Sequence, residues 1–279
     1  QFFAIFSQVG NPGVRVYPLM KIGVFDSGIG GITVLSEIRK RLGSLDFIYL
    51  GDTAHLPYGA KSPAQVERLS VDCARILKDK RVDALVVACN TASSLAIEAI
   101  RRVMDPIPVF GMVEPGVEAV FGALREMGQA SVFGAAQPSI LVLATRATVK
   151  SGAYGRALKK ESYVAIEQAC PLLVPMIEEG WIDHALLHDT LAVYLKPYLS
   201  EVPGVVLLGC THYPWITQAI QKALPGWKVV NSAHAVASAL ERCRFLVAGT
   251  GQVEWIFTDP DAVPAFAIEM IQSINLGGI

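Results

Sequence analysis

Short runs that are apolar at every position recur along this chain. Each gives way to polar or glycine residues and then to apolar positions spaced three and four apart. Strands buried on both faces carry the first pattern, and the helices that cover them carry the second. Ile22 to Phe25, Phe47 to Leu50, Leu85 to Val87 and Val109 to Met112 predict strands. Ile32, Leu35, Ile38 and Leu42 predict a helix, as do Val66, Leu69, Cys73, Ile76 and Leu77, and then Leu95, Ile97, Ile100 and Val103. Ser62-Pro63-Ala64-Gln65 reads as a helix start, with an N-cap Ser, Pro at the first position and Gln closing a capping box. Glu114-Pro115-Gly116 predicts a sharp break and a crossing into a second domain, before a helix through Val117, Val120, Phe121 and Leu124.

The second half repeats the scheme. Ser139 to Leu143, Val164 to Ala169, Val205 to Leu208 and Val229-Val230 predict strands, and Ala144 to Tyr154 a loop rich in hydroxyls. Leu172 to Ile177 is an apolar run broken by Pro175, and Asp183 to Leu199 an amphipathic helix with His184 and His188 on its surface. Ile216, Ile220 and Leu224 predict a helix, and Val236, Leu240 and Cys243 one face of another. Trp255 to Phe257 is a last strand, and Asp261 to Ile274 a last helix packing back on the first half.

The halves echo each other. A strand ends at Asp26 and another at Cys89, 63 residues on; a strand ends at Thr145 and another at Cys210, 65 residues on. The expected architecture is α/β: two similar open-sheet lobes in a pseudo-twofold relation, with a small-molecule site in the cleft between them. Residues 20–113 with 229–279 are expected to form the first lobe and 114–228 the second. Residues 1–19 differ in character from the rest of the chain and are expected to be an N-terminal extension outside the fold.

Two of these strands end in a thiol: Leu85-Val86-Val87-Ala88-Cys89-Asn90-Thr91 and Val205-Val206-Leu207-Leu208-Gly209-Cys210-Thr211-His212. The residue just past a parallel strand sits where open α/β sheets hold their ligands. Buried core cysteines are the plain structural alternative, and Cys73 and Cys243, inside helix stripes, fit that reading. For Cys89 and Cys210 the matching contexts favour two thiols approaching one molecule from opposite sides. That is the geometry of inversion by proton transfer: one sulfur takes a proton from a carbon while the other gives one to its opposite face. A thiol is mostly protonated at neutral pH, so each sulfur needs help. Asp26 stands ready to serve Cys89, and His212, with Glu178 behind it, to serve Cys210. A hydrolase of the Cys–His type would leave the second thiol unexplained.

Charge and composition narrow the field. With 24 basic and 25 acidic residues the chain has no global field to draw nucleic acid or a membrane surface. Arg39-Lys40-Arg41 reads as a solvated helix end. Five cysteines with no CxxC pair or zinc spacing indicate free thiols in a reducing compartment and no metal site. No apolar run reaches the ~20 residues that span a bilayer. Asp26-Ser27-Gly28-Ile29-Gly30-Gly31 comes after a strand but lacks a nucleotide-binding pattern, and Asp26 would repel a phosphate.

From about Lys21 to the C-terminal helix, the chain resembles the cofactor-independent aspartate/glutamate racemase family. The motifs that carry the resemblance are Phe25 to Gly31, Pro57-Tyr58-Gly59, Ala88 to Ala92, Glu114-Pro115-Gly116, Ala144 to Tyr154 and Gly209-Cys210-Thr211-His212-Tyr213-Pro214. The resemblance implies interconversion of L- and D-glutamate in the bacterial cytoplasm, with D-glutamate going to peptidoglycan. No cofactor, metal, nucleic acid or membrane is implied, and a homodimer is left open. It implies Cys89 as the base towards D-glutamate and Cys210 towards L-glutamate, assisted by Asp26, His212 and Glu178. Substrate contacts are expected from Asp26, Ser27, Tyr58, Gly59, Asn90, Thr91, Thr145, Thr148, Thr211 and His212. Ala144 and Asn231-Ser232-Ala233 depart from the family's usual Gly and Asp-Ser-Gly. An aspartate racemase, a one-cysteine isomerase or decarboxylase, a pyridoxal enzyme and a non-enzymatic binding protein are the alternatives.

Overall fold

The computed structural model describes residues 21–128, 139–242 and 249–275. The expected extension of residues 1–19 and the placing of Cys243 on a helix face lie outside them.

The first half runs through Lys21–Asp26 (β1), Ile32–Leu42 (α1), Asp46–Gly51 (β2), Pro63–Asp79 (α2), Ala84–Val87 (β3), Asn90–Leu95 (α3), Ile97–Met104 (α4), Val109–Phe110 (β4) and Val113–Glu126 (α5). Ser62 caps α2 through the full capping box with Gln65, as its sequence predicts. The helix expected through Leu95 and Val103 divides at Ala96 into α3 and α4. β4 stops two residues short of its expected end.

Glu114-Pro115-Gly116 is a correction: it lies in the first turn of α5 and is no break. A proline there gives up an N–H that has no partner inside the helix, so the turn closes regardless. The N–H of Gly116 still donates to the Met112 carbonyl at 3.0 Å.

The second half runs through Ile140–Ala144 (β5), Arg146–Ser151 (α6), Ala153–Lys160 (α7), Ala165–Ala169 (β6), Leu173–Glu178 (α8), Ala185–Leu195 (α9), Val205–Gly209 (β7), Thr217–Ala223 (α10) and Lys228–Asn231 (β8). The hydroxyl-rich stretch is a second correction: it is two short helices. Thr145 caps α6 by accepting from the Thr148 N–H at 3.2 Å, and Gly152, at φ 62°, makes the left-handed kink into α7. Pro175 sits in the first turns of α8 and does not break it. His184 caps α9, its Nδ1 accepting from the Leu186 N–H, and His188 lies on the surface as expected. Ala233–Arg242 (α11), Val253–Phe257 (β9) and Ala265–Asn275 (α12) complete the described chain.

Among the described residues all nine strands are parallel to their neighbours, in two sheets ordered β4-β3-β1-β2-β9 and β6-β5-β7-β8. β9 and α12 return to the first sheet, as expected. β8 pairs with β7, so the expected boundary at 229 falls inside a strand of the second sheet. Each sheet carries apolar cores on both faces, which is why its central strands read as unbroken apolar runs. In each sheet the chain goes outward from a central strand and then crosses to its other side. These reversals fall between β1 and β3 and between β5 and β7, and such points open a crevice at the carboxyl ends of the strands. No helix among the described residues is long and apolar enough to cross a membrane.

Candidate active site

The two crevices face one another. Asp26 ends β1 and Cys89 follows β3; Thr145 follows β5 and Cys210 follows β7. Ser27, Leu56, Pro57, Tyr58, Gly59, Cys89, Asn90, Thr91, Thr145, Val174, Glu178, Cys210, Thr211 and His212 line one cavity, with about 340 Å³ of empty space, its open mouth included. Both sulfurs therefore border the same void, one from each sheet.

The surroundings of the sulfurs differ. Cys89 is the N-cap of α3: its Sγ accepts from the Ala92 N–H at 3.5 Å and its S–H donates to Ser27 Oγ at 3.4 Å. Burial, and then the charge of Asp26, push the Cys89 thiol up to about 12, against the pull of those two hydrogen bonds. Cys210 Sγ lies 3.9 Å from His212 Nδ1, and His212 Nε2 lies 2.9 Å from Glu178 Oε1 of α8. Burial alone would push the His212 ring down. Its hydrogen bonds to Cys210 and Glu178, with their negative charge, outweigh that and raise it to about 10. His212 thus bridges Cys210 and Glu178, and both contacts favour its charged form.

Asp26 is wholly buried and stands one layer behind the cavity. Its Oδ1 accepts from Thr211 Oγ1 at 3.3 Å and its Oδ2 from the Gly28 N–H at 3.1 Å. Burial raises its carboxyl above the usual range, opposed by the positive His212 and by these hydrogen bonds. Thr148 is also set back, in a triangle of hydroxyls: Thr91 to Thr145 2.9 Å, Thr91 to Thr148 3.2 Å, Thr145 to Thr148 3.0 Å. That triangle ties α3 of the first half to the start of α6 in the second. Asn90 Oδ1 accepts from Tyr154 across the same seam. Gly59 is there because the lobes touch: a Cβ on it would lie 2.6 Å from Thr145 Cβ.

Of the residues expected at the site, Ser27, Tyr58, Gly59, Cys89, Asn90, Thr91, Thr145, Glu178, Cys210, Thr211 and His212 line the cavity. Asp26 and Thr148 support it from behind. Leu56, Pro57 and Val174 went unforeseen, as did Asp52, whose buried carboxylate accepts from Tyr58 Oη at 2.6 Å and Thr258 Oγ1 at 2.7 Å. Nothing in the spacing of Gly51-Asp52-Thr53 distinguishes it from an ordinary strand end.

Two parallel α/β lobes with a thiol from each in one cleft define a class of protein built to act on both faces of a small molecule. The chain belongs to the Asp/Glu/Hydantoin racemase family, whose model matches residues 31–240. It is 46% identical over 241 residues to a glutamate racemase of Aquifex aeolicus, covering 86% of this chain and 89% of that protein. The glutamate racemase structure from Aquifex pyrophilus is 40% identical with a TM-score of 0.73, covering 93% of this chain and 96% of that one. That of Francisella tularensis in complex with D-glutamate is 29% identical with a TM-score of 0.79, covering 91% and 94%.

Proposed function

We propose that the chain interconverts L- and D-glutamate without a cofactor, by proton transfer between two sulfurs and Cα. The observation that carries this is the cavity lined by Cys89 from one sheet and Cys210 from the other. In the L-to-D direction, Cys210 as thiolate takes the proton from Cα, and the C–H electron pair stays on Cα, spread into the neighbouring carboxylate. The Cys89 S–H then delivers its proton to the opposite face. D-glutamate leaves behind a Cys210 thiol and a Cys89 thiolate, so before the next turnover in this direction Cys210 must lose a proton and Cys89 gain one. The reverse reaction runs through the same steps with the sulfurs exchanged.

The surroundings of the two sulfurs favour the first direction. The Cys89 thiol is pushed up to about 12 and holds its proton, while the positive His212 is the natural partner of a Cys210 thiolate. Glu178 keeps the His212 ring charged and aimed. Asp26 stands close to both halves of the machinery, through Thr211 and through its charge on Cys89. Hydroxyls of Ser27, Thr91, Thr145 and Thr211, with Asn90 and the backbone at Gly59, give two carboxylates and an ammonium their partners. In this reading the two lobes close on the substrate, the chain crosses between them near residue 113, and the product supplies peptidoglycan synthesis in the cytoplasm.

Racemisation in deuterated water tests the reading. Solvent deuterium is expected at Cα of the product enantiomer, with much less in recovered substrate. Equal label in both means a single base, and sinks the two-sulfur mechanism. Parallel assays of glutamate and aspartate by loss of optical rotation separate the substrates, which differ by one methylene.

A further inference from the structure

His212 is held on more sides than its two hydrogen bonds. The indole of Trp215 stands almost perpendicular to its ring, with centroids 5.6 Å apart and planes at 87°. A Cβ at Gly30 would lie 2.5 Å from His212 Nδ1 and 2.7 Å from Cε1, so the imidazole is packed against the Gly30 backbone as well as against Trp215. Trp215 lies in the 3-10 turn Tyr213–Ile216, whose backbone folds back so that its N–H donates to the His212 carbonyl at 3.2 Å. The indole also meets Phe266 of α12, centroids 5.4 Å apart at 89°. It packs against apolar cores of both sheets. The indole Nε1 is buried without a hydrogen-bond partner among the described residues, so packing alone holds this side chain.

We propose that Trp215 is a positioning residue of the reaction: a wedge at the seam of the two lobes that fixes the His212 ring so that it reaches Cys210 and Glu178 at once. The role rests on the reading of His212 as the partner of Cys210. Two acceptors on opposite ring nitrogens demand one orientation of the imidazole. A ring free to rock about its Cβ–Cγ axis would lose the 3.9 Å contact with the sulfur, the 2.9 Å contact with the carboxylate, or both. The charged and titratable groups facing His212 are Cys210 two residues before it in the chain, Glu178 from α8 and Asp26 from β1. Trp215 adds no charge; it decides whether the first two stay in reach.

Two measurements test this. Trp215→Leu, with its fold checked by circular dichroism, is expected to lower kcat/KM roughly ten- to a hundredfold and to move the alkaline limb of the rate downward. Trp215→Phe keeps a ring against the imidazole, loses no hydrogen bond, and is expected to keep both. Independently of activity, an imidazolium quenches the emission of a touching indole. The emission of the wild type minus that of Trp215→Phe, which cancels Trp181, Trp227 and Trp255, is expected to rise as pH climbs through about 10. In His212→Asn that rise is expected to vanish. A folded Trp215→Leu protein with unchanged rate and unchanged limb overturns the proposal, as does an emission difference flat with pH in the wild type. Should Trp215→Leu not fold, the emission experiment decides alone. A wild type that racemises neither amino acid fails the reading of function, while the emission difference still reports the contact.

Discussion

A sulfur that must take a proton in one direction and give it back in the other works only if its neighbours set which state it rests in. Cys89 and Cys210 have the same sequence context and opposite surroundings: a carboxylate behind one, an imidazolium beside the other. Removing either thiol leaves one face of Cα without a proton carrier. Cys89→Ala and Cys210→Ala are each expected to cut kcat about 1,000-fold or more, read by polarimetry in both directions. The His212 ring is raised from its ordinary value to about 10, so its charged form is favoured in the folded state. Its contribution to stability is therefore complete below the unfolded value of about 6.5 and is lost as pH rises through about 10. The melting temperature of the wild type is expected to fall towards that of His212→Asn between about pH 7 and pH 10, and kcat from L-glutamate to fall over the last part of that range. Equal pH dependence of stability in the two proteins excludes the ion pair.

Strand-to-helix turns deliver both sulfurs and His212, and turns differ in how well local pattern specifies them. The capping box at Ser62 was readable because its signal lies within four residues. Ser62→Ala is expected to cost about 1 kcal/mol, seen as a lower denaturation midpoint with racemase activity intact. The stretches at Pro115, Pro175 and Ala144 to Tyr154 are ambiguous in the sequence because proline, glycine and hydroxyl residues serve helix starts as well as loops. Gly59 marks a further kind of turn, whose constraint is the other lobe. Gly59→Ala would set its methyl against Thr145, 2.6 Å away, and push the lobes apart at the cavity. It is expected to lower kcat/KM roughly tenfold or more with little change in melting temperature, since Gly59 lies in the 3-10 turn Tyr58–Ala60 and not in a sheet. A loss of stability with unchanged kcat/KM would place the strain elsewhere.

At the level of the whole molecule, the pseudo-twofold arrangement matches the symmetry of the reaction it serves. Enantiomers have equal free energy in solution, so kcat/KM for L- and D-glutamate must be equal in the wild type and in every variant. The asymmetry between the Cys89 and Cys210 surroundings is therefore expected in kcat and KM separately, in ratios that cancel. A variant such as His212→Asn that changed the ratio of the two kcat/KM values would show that an enantiomer is consumed by another route. α11 packs on α1, which covers the first sheet, and on α5, which lies against β7 of the second, so it joins the two sheets' helical layers.

Periodicity along the chain was enough to specify parallel α/β lobes, the strand ends that carry Cys89 and Cys210, and the kind of chemistry a matched pair of thiols performs. These follow from burial on two faces and from where a strand stops, both of which leave a local trace in residue type. Contacts between distant segments set the rest. Position relative to the cavity put Asp26 and Thr148 behind it, brought Val174 and Leu56 into its wall, assigned β8 to the second sheet, and pressed Trp215 against His212. Such placements depend on which segments meet when the two lobes come together, and no local spacing of residues records that meeting.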